Sequence, residues 1–155
     1  MSKIHSIDFE FDHDYALIGI HSVMADYRMA YFLNSTLNLQ LRRFKHDLDF
    51  NQRNCSFPLY TFEDESAFTS WSMIANKYVF TEDVLAGGSN LFPEETKISY
   101  LIPEKKRVDY FIKVIGLKDN EELDAALSNI NKINNIMASY AIDPYDLKSR
   151  DNLIF

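Results

Sequence analysis

The chain is poor in cysteine and has no long hydrophobic run. Its single cysteine, Cys55, cannot form an internal disulfide, so the sequence suits a reducing compartment. The longest apolar run, Ala16 to Ile20, is interrupted at His21, far short of the roughly 20 residues that a membrane span needs. Residues 1–8 also lack the apolar core of a signal peptide. We therefore expect a cytoplasmic protein without a membrane segment.

Basic charge is also in short supply. The sequence has 16 Lys and Arg residues against 23 Asp and Glu residues, which gives a formal net charge of −7. Lys and Arg contacts to phosphates supply most non-specific nucleic-acid affinity, so RNA binding is disfavoured unless a local basic face overrides the net charge. Apolar side chains are abundant instead, at 46% of 155 residues, and a chain of this size buries about two thirds of its unfolded surface. We predict one folded domain over residues 1–155.

The first half of the chain predicts two strands, a helix and further strands. Ile7 to Asp12 alternates apolar and acidic residues, as a half-buried strand does, and Tyr15 to Ile20 reads as a fully buried strand. We expect Ser22 to cap a helix over residues 24–37, with its buried stripe formed by Ala25, Met29, Phe32, Leu33 and Leu37. Residues 39–50 predict a strand with a bulge, and residues 57–62 and 68–80 predict a hairpin.

The second half predicts a loop, another hairpin and the most regular helix of the chain. Residues 85–96 contain Gly and Pro and predict a loop, and residues 98–102 and 108–115 predict a hairpin connected by residues 103–107. Asp119 and Glu122 form a capping pattern for a helix whose buried side holds Leu123, Ala126, Leu127, Ile130, Ile133 and Met137. Residues 140–142 predict a last short strand. The pattern favours an α+β fold: a mostly antiparallel β-sheet with two α-helices packed on one face.

Residues with catalytic or metal-binding chemistry do not converge in the sequence. The histidines lack metal-site spacing and are scattered at His5, His13, His21 and His46. His21 and Ser22 follow a strand, but no glycine follows the serine as a nucleophile elbow requires, and Gly87–Gly88 lacks the Lys and Ser/Thr of a phosphate loop. Cys55 lies near Arg53 without a base beside it. We assign no catalytic residue, cofactor or metal from the sequence.

Residues 102–110 carry a recognisable signature. They read Ile102, Pro103, Glu104, then Lys105, Lys106, Arg107, then Val108, Asp109, Tyr110, and this order resembles the signature of the bacterial IPExxxVDY family. Residues 17–20, 26–28 and 34 are similar to the N-terminal half of that family, and residues 147–149 and 152–155 resemble its ending. The resemblance implies a small cytosolic bacterial protein encoded near ribonuclease III and fatty-acid synthesis genes. It implies no activity, cofactor or catalytic residue.

Two surfaces follow as candidates for recognition. In the predicted hairpin, Glu104 and Asp109 either fix the turn through exposed ion pairs or form, with Arg28, a polar cluster that recognises a partner. The apolar end of the chain needs a partner, either the domain's own sheet or another chain. The candidate interaction residues are therefore Arg28, Glu104, Lys105, Lys106, Arg107, Asp109, Tyr110, Leu153, Ile154 and Phe155.

The function that these features favour is a non-enzymatic protein-binding or assembly factor, whose partner is another protein or a second copy of the chain. An accessory factor in RNA processing or translation is the alternative, because residues 42, 43 and 45 and residues 105–107 are basic and could form one cationic patch. A small-molecule or acyl-group enzyme is a third reading, and it requires a deep pocket with perturbed titratable groups.

Overall fold

The computed structural model describes residues 14–50, 55–83 and 94–155. The strand predicted over residues 7–12 and most of the loop predicted over residues 85–96 lie outside these ranges. The described elements are β1 Ala16–His21, α1 Asp26–Leu37, β2 Arg42–Arg43, β3 Leu48–Phe50, β4 Cys55–Phe57, β5 Leu59–Asp64, β6 Thr69–Ala75, β7 Lys77–Asp83, β8 Glu94–Tyr100, β9 Tyr110–Ile115, α2 Asn120–Ile130 and β10 Ala138–Ile142. Short 3₁₀ turns cover Pro103–Lys105, Pro144–Asp146 and Arg150–Leu153.

A six-stranded antiparallel sheet organises the described residues. Its strand order is β10-β1-β9-β6-β5-β2, and two smaller antiparallel pairs, β3-β4 and β7-β8, accompany it. The predicted α+β class with a mostly antiparallel sheet is therefore confirmed. None of the helices in the described part of the chain is long and apolar enough to span a membrane.

Both helices pack on one face of this sheet. Met29 and Leu33 of α1 and Ala126 and Ile130 of α2 are buried. They share a core with alternate strand residues of that face, including Ile18, Ile20, Met73, Ile112 and Val114. The periodicity of 3.6 residues in the helices and of two in the strands produces this shared core, as the sequence predicted.

The opposite face of the sheet carries a second core. Leu17, Ile74 and Phe111 point to that side, and they are covered by residues of β4, of the segment that follows β8 and of the C-terminal segment: Cys55, Phe57, Leu101, Ile102, Leu147 and Leu153. The central strands β1 and β9 are consequently buried on both faces, which is why their apolar residues do not alternate with polar ones, although β9 contains the buried Lys113.

Pairing of the strands differs from the prediction around the signature. β8 pairs with β7, whereas β9 pairs with β1 and β6, so the predicted hairpin between residues 98–102 and 108–115 is wrong. The run predicted over residues 68–80 splits at Asn76 into β6 and β7, which belong to different sheets. The predicted β5-β6 hairpin is confirmed, with Leu59 opposite Ile74 and Asp64 opposite Thr69. The strand predicted over residues 39–50 is two short strands, β2 and β3, in separate sheets.

Helix ends also depart from the prediction at particular residues. Ser22 does not cap α1, because the N-cap is Ala25 and the Ser22 hydroxyl donates to the Asn135 carbonyl at 2.7 Å. Ala25 is exposed and Ala30 takes its place in the buried stripe. Asp119 caps α2 as predicted, by accepting from the Glu122 amide at 3.0 Å. Met137 lies beyond the end of α2 and is 70% exposed, so its predicted burial is wrong.

Candidate interaction surface

The signature segment is a short 3₁₀ turn that passes from β8 to β9. The turn spans Pro103–Lys105, the Lys105 amide donates to the Ile102 carbonyl at 3.0 Å, and the Val108 amide donates to the Lys105 carbonyl at 3.0 Å. Ile102 and Val108 are fully buried in the second core. The apolar residues of the signature therefore anchor the turn in the protein interior.

Asn76 binds this turn from the junction of β6 and β7. Its side-chain amide nitrogen donates to the carbonyls of Lys105 and Val108, both at 2.8 Å. Its side-chain oxygen accepts from the Ile102 amide at 2.8 Å. The Asn76 backbone adds two more bonds, to the Asp109 carbonyl and from the Leu101 amide, both at 2.9 Å. A fully buried asparagine thus satisfies the turn's backbone groups, which an apolar residue cannot do.

Asp109 and Tyr110 hold the connection between β1 and α1. The Asp109 carboxylate accepts from the Ser22 amide and from Lys77 Nζ, both at 2.8 Å. The Tyr110 hydroxyl donates to the Met24 carbonyl at 2.6 Å, and burial raises the pKa of this phenol, so it stays a donor at neutral pH. Both residues therefore fix the backbone immediately before α1.

Glu104 binds the C-terminal segment. Its carboxylate accepts from the Ser149 amide at 2.6 Å and from the Ser149 hydroxyl at 3.0 Å. Burial alone would raise the pKa of Glu104, but hydrogen bonds from Ser149 and from the backbone amides of Glu104 and Lys148 together outweigh it and hold the pKa below its usual value. Asn152 adds a further bond by donating to the Leu101 carbonyl at 2.8 Å. The predicted ion pairs across a hairpin are therefore wrong, because each carboxylate of the signature binds a different part of the fold.

The apolar end of the chain lies on its own sheet. Leu153 is fully buried, whereas Ile154 and Phe155 are partly exposed. Lys113 of β9 is only 6% exposed, and its Nζ donates to the Leu153 carbonyl at 2.8 Å. The same Nζ lies 4.5 Å from the centre of the Phe155 ring and 4.8 Å from the centre of the Tyr15 ring. Burial lowers the pKa of Lys113, and the rings and the carbonyl replace part of its lost hydration.

The three cations of the signature differ in their surroundings. Lys105 is half-buried, Lys106 is exposed with its Nζ 5.7 Å from the centre of the Tyr100 ring, and Arg107 is exposed. In the other basic group, Arg43 binds Asp26 at 3.1 Å and Asp47 at 2.6 Å. Carboxylates thus neutralise part of that group, and Lys106 and Arg107 remain the accessible cations of the signature.

Arg28 lies on the outer face of α1, away from the carboxylates with which it was predicted to cluster. Within the described ranges, neither Glu104 nor Asp109 binds Arg28, so the prediction of a polar cluster of these three residues is wrong. Arg28 is instead accompanied by Tyr27 and Tyr31, which are 65% and 66% exposed. Positions 27, 28 and 31 share one face of a helix. We call Tyr27, Arg28 and Tyr31 the α1 face.

The α1 face begins beside further exposed apolar residues. Val23 precedes the helix and is almost fully exposed; Met137 is 70% exposed, and its amide donates at 2.9 Å to the carbonyl of His21, two residues before Val23. The start of α1 is fixed by Asp26, whose carboxylate accepts from the Tyr60 hydroxyl at 3.2 Å and pairs with Arg43. Exposed aromatic and Arg side chains are therefore presented on a helix whose first turn is held by side-chain contacts.

Two open grooves flank α2. One, of about 590 Å³, lies between the start of β1, the end of β9 and the first residues of α2. Tyr15 borders this groove, and burial of its side chain raises the pKa of Tyr15 to about 12. The other, of about 490 Å³, lies between the C-terminal end of α1, the β5-β6 turn and one side of α2. Over the residues that the structure describes, no group of three or more His, Cys, Asp or Glu side chains could bind a metal.

Sequence reasoning missed Asn76, Lys113 and the two tyrosines of the α1 face. Asn76 interrupts an apolar run, and Lys113 stands between Ile112 and Val114 in the most apolar strand, so each was visible as a polar residue in a buried pattern. Their hydrogen-bond partners come from distant parts of the chain, which no local pattern identifies.

Comparison of the chain with protein-family models, curated proteins and solved structures found no match.

Proposed function

We propose that this chain is a cytoplasmic protein-binding or assembly factor of the IPExxxVDY type, and that it binds its partner through the α1 face. The observation that carries the proposal is the exposure of Tyr27, Arg28 and Tyr31 together on one side of α1. Tyrosine and arginine are enriched among residues that dominate binding energy at protein interfaces.

The signature supports this surface from inside the protein. Asp109 binds the Ser22 amide and Tyr110 binds the Met24 carbonyl, so both residues fix the backbone that leads into α1. A rigid helix loses little conformational entropy when it binds, which favours affinity. The role that we assign to the signature is therefore positioning of the α1 face rather than direct contact with the partner.

The α1 face defines the chemistry of the partner. The two phenol rings match an apolar surface with hydrogen-bond acceptors, and the guanidinium of Arg28 makes no ion pair with any described residue. A carboxylate on the partner would complete a bidentate pair with Arg28. We propose a protein partner with an apolar groove and a carboxylate at its margin.

Affinity purification from the cells that make the protein tests this surface. The wild-type chain is compared with the double variant Tyr27→Ser/Tyr31→Ser and with Tyr145→Ser, which removes another exposed aromatic ring elsewhere on the surface. A photo-reactive amino acid at position 31 identifies direct contacts. We expect a protein that cross-links from position 31, is retained by Tyr145→Ser and is lost from the double variant. An identical set of bound proteins for all three chains would contradict the proposal.

An accessory role in RNA processing is a second candidate, favoured by the exposure of Lys106, which lies beside the Tyr100 ring, and of Arg107. A positive turn next to an aromatic ring suits a single-stranded backbone and a stacked base. Fluorescence anisotropy with a short RNA at low salt measures this binding, and Lys106→Glu/Arg107→Glu is expected to abolish it. RNA binding that survives this double substitution would exclude the turn as its site.

A further inference from the structure

The two end strands of the six-stranded sheet each have one edge that faces away from the sheet. Within the described part of the chain, β10 and β2 are these end strands, so β10 pairs with β1 alone and β2 pairs with β5 alone. The outer backbone amides and carbonyls of an end strand can bind a strand of another molecule, and folded proteins therefore block or cover such edges. An asparagine side chain lies at each of the two edges.

Asn131 binds the outer edge of β10. It directly follows α2, and its side-chain oxygen accepts from the Ser139 amide at 3.0 Å and from the Ser139 hydroxyl at 2.8 Å. Its side-chain nitrogen donates to the Ser139 carbonyl at 3.4 Å. The amide and carbonyl of one residue point to the same side of an antiparallel strand, so those of Ser139 point away from β1. Asn131 therefore occupies the position where the backbone of a further strand would bind.

Asn34 makes the same contact at the opposite edge of the sheet. It lies in the last turn of α1, and its side-chain oxygen accepts from the Leu41 amide at 2.8 Å. Its side-chain nitrogen donates to the Leu41 carbonyl at 3.1 Å, and Leu41 immediately precedes β2. At each edge, one asparagine thus binds both backbone groups of one residue. We call the contacts Asn131–Ser139 and Asn34–Leu41 the edge clasps.

The two edges differ in the protection that the strands themselves provide. β2 has only two residues, both of them arginines, and charged side chains on a short end strand oppose pairing with another strand. β10 has five residues, Ala138–Ile142, without a charge or a proline, and Tyr140 and Ala141 within it are exposed. β10 therefore depends on its edge clasp more than β2 does.

We infer that Asn131 protects the edge of β10: its side-chain amide takes the place of a strand backbone at Ser139 and keeps β10 from pairing with a strand of another molecule. A side-chain amide carries the same kinds of donor and acceptor as a peptide group, so it satisfies the edge without extending the sheet. The same contact at Asn34 fits this role, because it lies at the other edge. The role involves none of the residues of the α1 face, so its test is independent of the proposed function.

Removal of each asparagine side chain separates this role from a contact that only adds stability. Asn131→Ala and Asn34→Ala lose equivalent bonds to the backbone, and urea unfolding measures the stability of each variant. Analytical ultracentrifugation over a wide concentration range measures association. We expect the mass of Asn131→Ala to rise with concentration to about twice that of the wild type, because two freed β10 edges pair about a twofold axis. Asn34→Ala should keep the wild-type mass, since the two arginines remain at its edge.

Two further variants test whether the association uses the edge of β10. Asn131→Asp keeps an acceptor for the Ser139 amide and adds a charge at the edge, and Asn131→Ala/Ala141→Lys adds a charge to the exposed part of the strand. Both should have the wild-type mass, because charge on an end strand opposes pairing. The inference would be overturned by an Asn131→Ala variant that keeps the wild-type mass at every concentration, by equal association of Asn34→Ala, or by association that persists in Asn131→Ala/Ala141→Lys.

Discussion

Removal of the Asn76 side chain, which binds the signature turn, should weaken the fold more than substitution of any polar residue within that turn. Asn76 is fully buried, and its side chain makes three hydrogen bonds of 2.8 Å to the backbone at Ile102, Lys105 and Val108. In Asn76→Ala, these three backbone groups lose the Asn76 partner, and the bonds to Ile102 and Val108 are closed to solvent. The substitution therefore removes bonds and leaves buried polar groups unsatisfied.

The expected magnitude follows from the number of bonds. Each hydrogen bond contributes about 0.5 to 1.5 kcal/mol net, and an unsatisfied buried group costs about 1 to 3 kcal/mol. Lys105 already has a second partner, because its carbonyl also accepts from the Val108 amide. Weighing the three positions on this scale, we expect Asn76→Ala to lower the free energy of unfolding by about 3 to 5 kcal/mol. That is a large share of the roughly 5 to 15 kcal/mol typical of a folded domain.

Urea unfolding followed by tryptophan fluorescence measures this loss, because the chain has one tryptophan, the buried Trp71. Asn134→Ala is the control, since Asn134 is exposed and a surface substitution changes stability by less than about 0.5 kcal/mol. Asn76→Asp keeps an acceptor for the Ile102 amide but cannot donate to two carbonyls when ionised, so it should be as damaging at neutral pH. A loss below about 1 kcal/mol for Asn76→Ala would refute the reasoning.

Four further predictions concern the C-terminal segment and the residues that bind it. Leu153→Ala should lower the free energy of unfolding by about 2 to 5 kcal/mol, because a fully buried leucine leaves a cavity, and thermal unfolding measures the loss. Lys113→Met should change the free energy of unfolding by less than about 1.5 kcal/mol in either direction, because removal of a charge that is costly to bury offsets the loss of the hydrogen bond to the Leu153 carbonyl. A loss of stability as large as that of Leu153→Ala would contradict this expectation. Folding lowers the pKa of Lys113, so the folded protein binds fewer protons than the unfolded chain as the pH approaches the usual pKa of lysine. In that pH range the free energy of unfolding should rise with pH in the wild type, and this rise should be absent in Lys113→Met. Folding lowers the pKa of Glu104, so its hydrogen bonds to Ser149 stabilise the fold above the usual glutamate pKa and are lost as the pH falls through the pKa of the folded protein. Urea unfolding at several pH values should therefore show that the difference in stability between the wild type and Glu104→Gln becomes smaller in acid. A difference that does not change with pH would argue against this role.

The signature residues illustrate why a conspicuous motif need not be a contact surface. Glu104, Asp109 and Tyr110 each bind backbone groups or side chains of distant segments, at Ser149, at Ser22 and Lys77, and at Met24. Together they join the C-terminal segment, β7 and the start of α1 to one short turn. The exposed aromatic side chains Tyr27, Tyr31 and Phe68 lie outside the signature.

Much of the fold was predictable because local patterns sufficed. The capping pair Asp119 and Glu122 and the apolar spacing that follows them predicted α2, and the acidic turn predicted the β5-β6 hairpin. The pairing of β8 with β7 was not predictable in the same way. β8 and β9 have equally suitable patterns, and the choice of partner depends on contacts over many residues, such as the bond from the Leu101 amide to the Asn76 carbonyl.

The amino-acid sequence by itself determined the α+β class, the placement of both helices on one face of an antiparallel sheet, and the need to cover the apolar end of the chain, because burial of apolar surface follows from residue spacing alone. The tertiary structure decided that Leu153 is covered by the protein's own sheet, that Glu104 and Asp109 bind other segments of the same domain, and that Tyr27, Arg28 and Tyr31 are left on the surface. These outcomes depend on which distant segments meet, and a hydrogen-bonding side chain has no preferred partner until the chain has folded around it.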